Sequence, residues 1–416
     1  MHTAARIPRI LRLTENEVNE AIEDAVSLLS RLVAIDSANS SMDGPGEGEL
    51  AAEIAKIGHD RGFTVTSHEV LPGRPNVALL LPSTSNHASD EPAKRLLFDL
   101  HLDTVPHRGI ADATLPRIVG DRMYGRGTCD TKGALAAAIT AASRLATSGI
   151  ERRAEVLLLF TVDEEYLKRG VAHAVAGGLT ATAAIVGEPT SLRPIVAHKG
   201  AVRFRIVTHG RAAHTSRPEN GDNAILQMVE VIDWLRERLE PTIALRHHPR
   251  LTPPTFTIGT ITGGTGVNIV PDRCEIEIDR RSLPTEDPDA ILAEFDALLA
   301  DLMRRRPNVK ATREAPYLVE RGLDGPADGP LVRAVQHAIR SVCADSVDVT
   351  PTGVPYGTDA SHVWGHTRTP TVVLGPGDIA QAHTADEWVD LSEVRRCAAI
   401  YEHLMTSFVS GEWPTQ

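Results

Sequence analysis

A chain of 416 residues is too long for one ordinary hydrophobic core, and its length indicates about two domains. Hydrophobic residues make up 42% and charged residues 24%, as in a typical globular protein, and no apolar run reaches the length of a membrane span. The formal net charge of −12 argues against a nucleic-acid partner, because binding nucleic acid requires a basic face.

The start of the chain and the cysteines both bear on cellular location. The first residues carry Arg6, Arg9 and Arg12 but lack the apolar segment of a signal peptide, so we interpret them as an arm, with a transit peptide as the alternative. The four cysteines lie far apart and form no C-x-x-C motif. Such spacing is typical of free thiols in a reducing compartment, and we therefore expect a cytoplasmic protein.

The first part of the chain is predicted to contain two helices followed by two strands. The sequence TENE is typical of a capping box in which Thr14 caps a helix and Glu17 reaches back, and this helix is predicted to run to about Val33. A second helix is predicted from about Glu49. Two strands follow, FTVTSHEV and NVALLLP, and then a polar loop.

Four apolar runs without alternation predict buried strands. They are LLFDL at 96–100, EVLLLFTV at 155–162, AAIVG at 183–187 and TVVLG at 371–375. Such runs suit strands that are covered on both faces, as in a largely parallel sheet flanked by helices. The alanine-rich segment 132–149 is predicted to be one of these helices. The fold class that we predict is therefore α/β, with a mostly parallel sheet.

The middle of the chain has a different pattern. AVRFRIVT and CEIEID alternate apolar and polar residues, which indicates a sheet with one covered face. Two helices are predicted there, one over about 222–240 and one capped by Asp287 with proline next. The order strand, helix, strand, strand, helix, strand is that of a ferredoxin-like α+β domain. We therefore predict an inserted domain at 195–316 and a main domain built from 1–194 and 317–416.

Acids and histidines follow the predicted buried strands. They are His101 and Asp103 after the first run, Asp163, Glu164 and Glu165 after the second, Glu188 after the third and His383 after the fourth, with Asp130 in a loop before the alanine-rich helix. His101 and Asp103 point the same way, because strand side chains at i and i+2 share a face. Ligands bind beyond the carboxyl ends of the strands in such sheets, so these residues should meet at one rim.

Taken singly, each of these residues is more often a turn residue, but together they indicate a metal site. Carboxylates that outnumber the nearby cations repel one another unless a divalent ion lies among them. A mixture of imidazole and carboxylate ligands suits Zn²⁺, with Mn²⁺ or Co²⁺ as alternatives. Cys129, beside Asp130, is interpreted as a small packing residue.

Six motifs spread over nearly the whole chain resemble the signatures of one metallohydrolase family. They are HLDTVP, GRGTCDTKGA, DEE, GEPT, GRAAHTSRPENGDNAI and GPGDIAQAHTADE. The family contains acetylornithine deacetylase, succinyl-diaminopimelate desuccinylase, aminoacylase and glutamate carboxypeptidase. The resemblance implies an α/β catalytic domain with an inserted lid or dimerisation domain, and it implies a homodimer.

By position, the resemblance implies a pair of divalent metal ions bridged by Asp130. His101 and Glu188 would complete one site, and Glu165 and His383 would complete the other. Asp103 would orient His101 by a hydrogen bond, and Glu164 would be the general base of a hydrolysis. A cis peptide bond is implied after Asp130.

Three further residues are implied to contact the substrate or its transition state. His214 would stabilise the oxyanion in the site of the partner subunit, unless it is a surface turn residue, and Arg281 would bind a substrate carboxylate. Arg280 is adjacent, so the register between the two arginines stays open, and Arg281 could instead be a solvated surface residue. Asn268 follows a glycine-rich loop without the lysine of a P-loop, and it is implied to lie near the substrate.

The activity that the resemblance implies is hydrolysis of a C–N bond in a small N-acyl amino acid, as in acetylornithine deacetylase. In the family, a glutamate at the position of Glu188 is typical of deacylases and carboxypeptidases, and an aspartate is typical of aminopeptidases. A dipeptidase, a carboxypeptidase or a carbamoyl hydrolase on the same scaffold is the alternative. A catalytically inactive metal-binding relative is a third hypothesis, although all expected positions are present. A dinucleotide oxidoreductase is disfavoured, because no G-x-G-x-x-G follows an early strand.

Overall fold

The computed structural model describes residues 25–85, 94–107, 110 and 112–413. The helices are α1 (described part, 25–33), α2 (Gly48–Asp60), α3 (Gly133–Thr147), α4 (Arg169–Ala176), α5 (Ala224–Arg238), α6 (Glu240–Ile243), α7 (Pro288–Arg305), α8 (Pro330–Cys343), α9 (Ala360–His362) and α10 (Leu391–Val409). The strands are β1 (Thr64–Leu71), β2 (Arg74–Leu81), β3 (Arg95–His101), β4 (Arg117–Val119), β5 (Arg122–Tyr124), β6 (Glu155–Thr161), β7 (Ala183–Val186), β8 (Ile195–His198), β9 (Gly200–His209), β10 (Thr255–Gly263), β11 (Arg273–Ser282), β12 (Ala311–Arg313), β13 (Leu318–Glu320), β14 (Leu323–Asp324), β15 (Thr352–Val354), β16 (Thr371–Val373) and β17 (Trp388–Asp390). The capping box predicted at Thr14 and Glu17 lies outside the described residues.

A large mixed sheet forms the main body of the fold. Its strand order is β1-β2-β6-β3-β7-β16-β8-β14, with β15 also paired to β8. The central strands β6, β3, β7 and β16 are parallel, as the sequence predicts, whereas β2 and β8 pair with them in antiparallel fashion. One antiparallel edge follows from connectivity, because β1 and β2 are joined by a tight turn with Gly73 at φ 71° and such a turn cannot link parallel strands.

Helices cover both faces of the large sheet, which explains the apolar runs without alternation. Leu96, Phe98 and Leu100 of β3 belong to the core formed with α3 and α10 on one face. Leu97 packs with Val171 of α4 on the other face. The small alanine side chains of α3 let this helix lie close to both the sheet and α10. The predicted α/β class is therefore confirmed.

A second, antiparallel sheet has the predicted ferredoxin-like order. Along the chain β9, α5, β10, β11, α7 and β12 follow one another, and in space the order is β10-β11-β9-β12. Cys274, Ile276 and Ile278 of β11 are buried in the core that this sheet shares with α5 and α7, so the alternating pattern has the predicted meaning. Asp287 caps α7 as predicted, and its Oδ2 accepts the N–H of Ala290 at 3.3 Å.

Strand pairing passes from the large sheet to the second sheet between β8 and β9, and it returns between β13 and β14. The division into 1–194 with 317–416 and 195–316 stays a prediction. A third sheet, β17-β5-β4, was not predicted, because strands of three residues are too short to show a pattern. None of the described helices is long and apolar enough to cross a membrane.

Candidate metal centre

The carboxyl ends of the central strands bring the predicted polar residues to one rim of the large sheet. His101 ends β3, Glu165 follows β6, Glu188 follows β7 and His383 follows β16. Asp130 comes from the loop before α3, where the Asp130–Thr131 peptide is cis. Because these four strands are parallel, their carboxyl ends meet, and the side chains that follow them converge.

Asp130 lies between two groups of potential metal ligands and is shared by both. Its Oδ1 is 3.1 Å from Nε2 of His101, which is 3.9 Å from Oε2 of Glu188. Its Oδ2 is 3.2 Å from Nε2 of His383, which is 3.0 Å from Oε1 of Glu165. Within each group the ligand atoms lie within 4.8 Å of one another. Each carboxylate oxygen of Asp130 thus faces a different group, as a bridging ligand requires.

Burial makes these groups electrostatically dependent on one another. It raises the pKa of Glu188 well above its usual value, and it also raises the pKa of Glu165. Burial by itself lowers the pKa of His101 and His383, because it disfavours the charged imidazolium. The neighbouring carboxylates have the larger effect, so the pKa of His101 is raised and that of His383 is raised to about 11. Burial likewise disfavours ionised Asp130, yet hydrogen bonds from both histidines lower its pKa. The acids therefore need positive charge beside them.

The donor set fits two divalent cations. Nδ1 of His101 lies 2.9 Å from the backbone carbonyl of Asp103. A carbonyl oxygen only accepts, so Nδ1 carries a proton, and in the neutral ring the lone pair on Nε2 is the one that would bind a cation lying beside Asp130 and Glu188. Two imidazoles and three carboxylates, one of them shared, supply nitrogen and oxygen ligands of the kind that Zn²⁺, Mn²⁺ and Co²⁺ accept.

Asp103 contacts His101 through its backbone rather than through its carboxylate, which differs from the prediction. Oδ1 of Asp103 lies 3.6 Å from Nδ1 of His101, beyond hydrogen-bond distance. The carboxylate instead accepts the backbone N–H groups of Glu164 at 2.9 Å and Glu165 at 3.0 Å, and the side-chain amide of Asn39 at 2.7 Å. The i, i+2 spacing indicated that His101 and Asp103 lie close together. It could not show that the backbone carbonyl of Asp103 makes the contact, because every residue has such a carbonyl.

The acids that follow β6 point in different directions. Asp163, with φ 69°, forms ion pairs with Arg74 at 3.2 Å and Arg169 at 2.6 Å and joins neither ligand group. Oε1 of Glu164 pairs with Nζ of Lys168, and both side chains are buried. Lys168 was not singled out in the sequence, because a spacing of four residues predicts a pair only on a helix and these two residues lie in the turn before α4.

His214 and Asn268 lie together at an exposed end of the second sheet. The backbone of His214 pairs with that of Ile269, and the N–H of Thr215 donates to the carbonyl of Asn268 at 3.2 Å. Nδ1 of His214 accepts the N–H of Ser216 at 3.0 Å, so the neutral ring carries its proton on Nε2. Among the described residues, neither His214 nor Asn268 belongs to a ligand group of this chain.

The two neighbouring arginines of β11 have different environments. Arg280 is fully buried, and it donates to Oε1 of Glu286 at 2.6 Å. Arg281 lies on the open face of the sheet, where it donates to Asp279 at 3.1 Å. Because strand residues alternate, only Arg281 is left where it could reach a ligand outside the sheet.

A mixed sheet with parallel central strands, two groups of potential metal ligands at its rim and a ferredoxin-like sheet between its segments form the architecture expected of a metal-dependent hydrolase that acts on C–N bonds. The sequence profile of Peptidase family M20/M25/M40 matches residues 97–407. The chain belongs to this family, and the resemblance drawn from its motifs is confirmed.

Two curated relatives and one solved structure illustrate the similarity. The chain is 36% identical over 315 residues to N-acetyl-L-citrulline deacetylase of Xanthomonas campestris, covering 73% of this chain and 79% of that protein. It is 30% identical over 385 residues to acetylornithine deacetylase of Aliivibrio fischeri, covering 89% and 94%. Its fold is similar to that of a dinuclear metal-binding M20 peptidase of Bacillus subtilis, with a TM-score of 0.69, 15% identity and coverage of 94% and 99%.

Proposed function

We propose that this enzyme removes the acyl group from a small N-acyl amino acid and resembles acetylornithine deacetylase in its reaction. The observation that carries the proposal is the shared position of Asp130, whose two oxygens face two groups of buried ligands. The deacetylase relatives, at 30% and 36% identity, support an N-acyl amino acid as the substrate.

Two zinc ions are the occupants that we propose, with cobalt or manganese as alternatives. His101, Glu188 and Asp130 would hold one ion, and Asp130, Glu165 and His383 the other. When bound, such ions activate a water molecule as nucleophile and polarise the carbonyl of the scissile bond. This paired arrangement also explains why buried acids are gathered at the rim.

Glu164 is our candidate for the general base. The carboxylate of Asp103 accepts its backbone N–H together with that of the ligand Glu165, and its buried side chain belongs to neither ligand group. In this role Glu164 takes a proton from the attacking water and passes it to the leaving nitrogen. The contact with Lys168 has to open or rearrange first, because a carboxylate held by an ammonium group accepts a proton poorly.

We further propose that the enzyme is a homodimer joined through the second sheet. β10 lies at the edge of this sheet and, among the described strands, pairs only with β11; exposed apolar side chains lie on it and on the neighbouring α5, namely Ile261, Leu226 and Val229. His214, exposed and outside the ligand groups of its own chain, would then donate from Nε2 to the oxyanion in the partner subunit. Asn268, beside it, would approach the same substrate.

Arg281 would bind the carboxylate of the amino-acid product, because it is the arginine on the open face of β11. A dipeptidase or carboxypeptidase activity on the same centre is the second candidate, favoured by the peptidase names of structural neighbours such as the Bacillus subtilis protein. We also propose a cytoplasmic location, which the four free cysteines support.

Turnover of a substrate panel tests the proposed function. Metal-stripped protein is reconstituted with zinc, cobalt or manganese and is offered N-acetyl amino acids, dipeptides and N-carbamoyl amino acids. We expect the N-acetyl amino acids to give the highest kcat/KM. Preferred cleavage of dipeptides would favour the second candidate, and metal binding without turnover of any amide would contradict both.

A further inference from the structure

Glu387 is a nearly fully buried acid, 2% exposed, that belongs to neither ligand group. It lies four residues after His383, at the end of the last sequence motif. Oε1 of Glu387 accepts the backbone N–H groups of Cys129 at 3.0 Å and Asp130 at 3.1 Å. Oε2 accepts Nη1 of Arg126 at 2.6 Å. Both oxygens are therefore bonded to the loop that carries Asp130.

Arg126 extends this contact to the segment that carries His383. Its Nη2 donates to the carbonyl of Thr384 at 3.3 Å, and its side chain is as well buried as that of Glu387. The N–H of Gly125 returns a bond to the carbonyl of Glu387 at 3.1 Å. The two segments that supply Asp130 and His383 are thus joined by one buried ion pair and its hydrogen bonds.

The loop has little freedom to find another position. Gly127 has φ 82°, and a Cβ there would lie 2.8 Å from the side chain of Thr104. On the other side of Asp130, the hydroxyl of Thr131 donates to the carbonyl of Gly187 at 2.8 Å, next to Glu188. The backbone around Asp130 is therefore fixed by named contacts, and those from Glu387 act on the N–H of Asp130 itself.

We propose that Glu387 is the positioning residue for Asp130, holding its carboxylate midway between the two ligand groups, and that the ion pair with Arg126 keeps Glu387 in place. The inference rests on the proposed metal pair. A bridging carboxylate must aim one oxygen at each ion, so a small shift of its backbone weakens both sites together. A neutral amide at 387 would turn an N–H group toward either Arg126 or the loop N–H groups.

Metal binding by the variant Glu387→Gln tests this inference without relying on activity. Metal-stripped protein is titrated with Zn²⁺ in a calorimeter, and the absorption spectrum of the Co²⁺-loaded protein reports the coordination geometry. We expect the zinc Kd to weaken by about 10- to 100-fold and the cobalt spectrum to change. Glu387→Asp, which keeps the charge, should recover part of the affinity.

Glu393→Gln is the matched control. Oε2 of Glu393 also accepts a backbone N–H, that of Gly377 at 2.7 Å, whereas in the described part of the chain its side chain forms no hydrogen bond with residues 126–131. If Glu387→Gln keeps the zinc affinity and cobalt spectrum of the wild-type protein, the inference is wrong and the proposed function is not affected. If the wild-type protein binds no divalent ion, both the inference and the proposed function are wrong. If Glu387→Gln does not fold, Arg126→Lys, which leaves the carboxylate in place, should weaken zinc binding in the same direction.

Discussion

Among single residues, Asp103 links two parts of the candidate site. It contacts His101, which belongs to one ligand group, and it also contacts the acids that follow β6. Its carbonyl faces Nδ1 of His101, and its carboxylate accepts the N–H groups of Glu164 and Glu165. One residue therefore fixes the ring of a ligand and the backbone of two acids that point in different directions. Buried carboxylates that accept several N–H groups are strong constraints, because each unpaired donor would cost free energy.

Replacing Asp103 by asparagine should separate this constraint from the ligands themselves. The amide offers one oxygen where the carboxylate offers two, so at least one N–H of the acidic pair loses its acceptor. We expect kcat/KM to fall by about 10- to 100-fold. Steady-state kinetics with zinc content measured on the same sample checks this, and an unchanged kcat/KM at full zinc content would contradict it.

Replacing Glu164 by alanine should leave the metal ligands intact and remove the proton carrier. We expect kcat to fall by about 10²- to 10⁴-fold, since this is the usual contribution of general acid–base catalysis. Zinc content should stay at the wild-type value. Glu402→Ala is the control, because Glu402 on α10 also forms an ion pair, with Arg144 on α3, and belongs to neither ligand group. Full residual turnover in Glu164→Ala would rule out the assigned base.

Among the described strands, β10 is a long edge strand of the second sheet. It pairs only with β11 among the described strands, and its Ile261 is 56% exposed. Long exposed edge strands invite pairing with another chain, and a charged side chain on the edge prevents it. The proposed dimer would use this edge together with the apolar residues of α5.

A charge on this edge should therefore dissociate the proposed dimer. We expect Ile261→Lys to shift the protein to monomers, measured by light scattering coupled to size-exclusion chromatography. Leu115→Lys is the control, because Leu115 is 62% exposed but precedes β4 in the main domain. A dimer that survives Ile261→Lys unchanged, or one that Leu115→Lys disrupts instead, would move the interface away from β10.

Much of the element order is local information. The buried runs, the alternating strands and the cap at Asp287 are read from neighbouring residues, because burial on one or two faces dictates the pattern of apolar side chains. The strands β4, β5 and β17 are too short to show such a pattern. The pairing of β17 with β5, in addition, joins residues that are more than 250 positions apart, such as Trp388 and Tyr124.

At the scale of the whole molecule, the proposed active site is divided between two chains. Mixing His214→Ala with Glu164→Ala protein should restore activity after subunit exchange, because in a mixed dimer one site combines an intact Glu164 with an intact His214. Random exchange in a two-fold dimer should recover about one quarter of the wild-type sites. No recovery, despite dimer exchange shown by differently labelled subunits, would mean that His214 does not act across the interface.

Metal removal should also destabilise the fold as a whole, since the ligands come from four strands and a loop. A ligand at one hundred times its Kd stabilises the folded state by about 2.7 kcal/mol. We expect a chelator to lower Tm by about 5 °C or more, measured by calorimetry, and added zinc to reverse the change. Asp130→Asn should show no such dependence on the chelator. Equal Tm values of wild-type protein with and without the chelator would contradict the metal pair.

The α/β class, the ferredoxin-like order of the middle segment, the family and the set of candidate ligands could all be predicted from the sequence, because periodicity and short motifs are properties of neighbouring residues. The folded chain was needed to show which oxygen of Asp130 faces which group, that Asp103 meets His101 through its backbone carbonyl, and that Glu387 is bonded to the loop of Asp130. These facts depend on contacts between distant segments and on backbone groups, and neither leaves a pattern in the order of side chains along a single strand or loop.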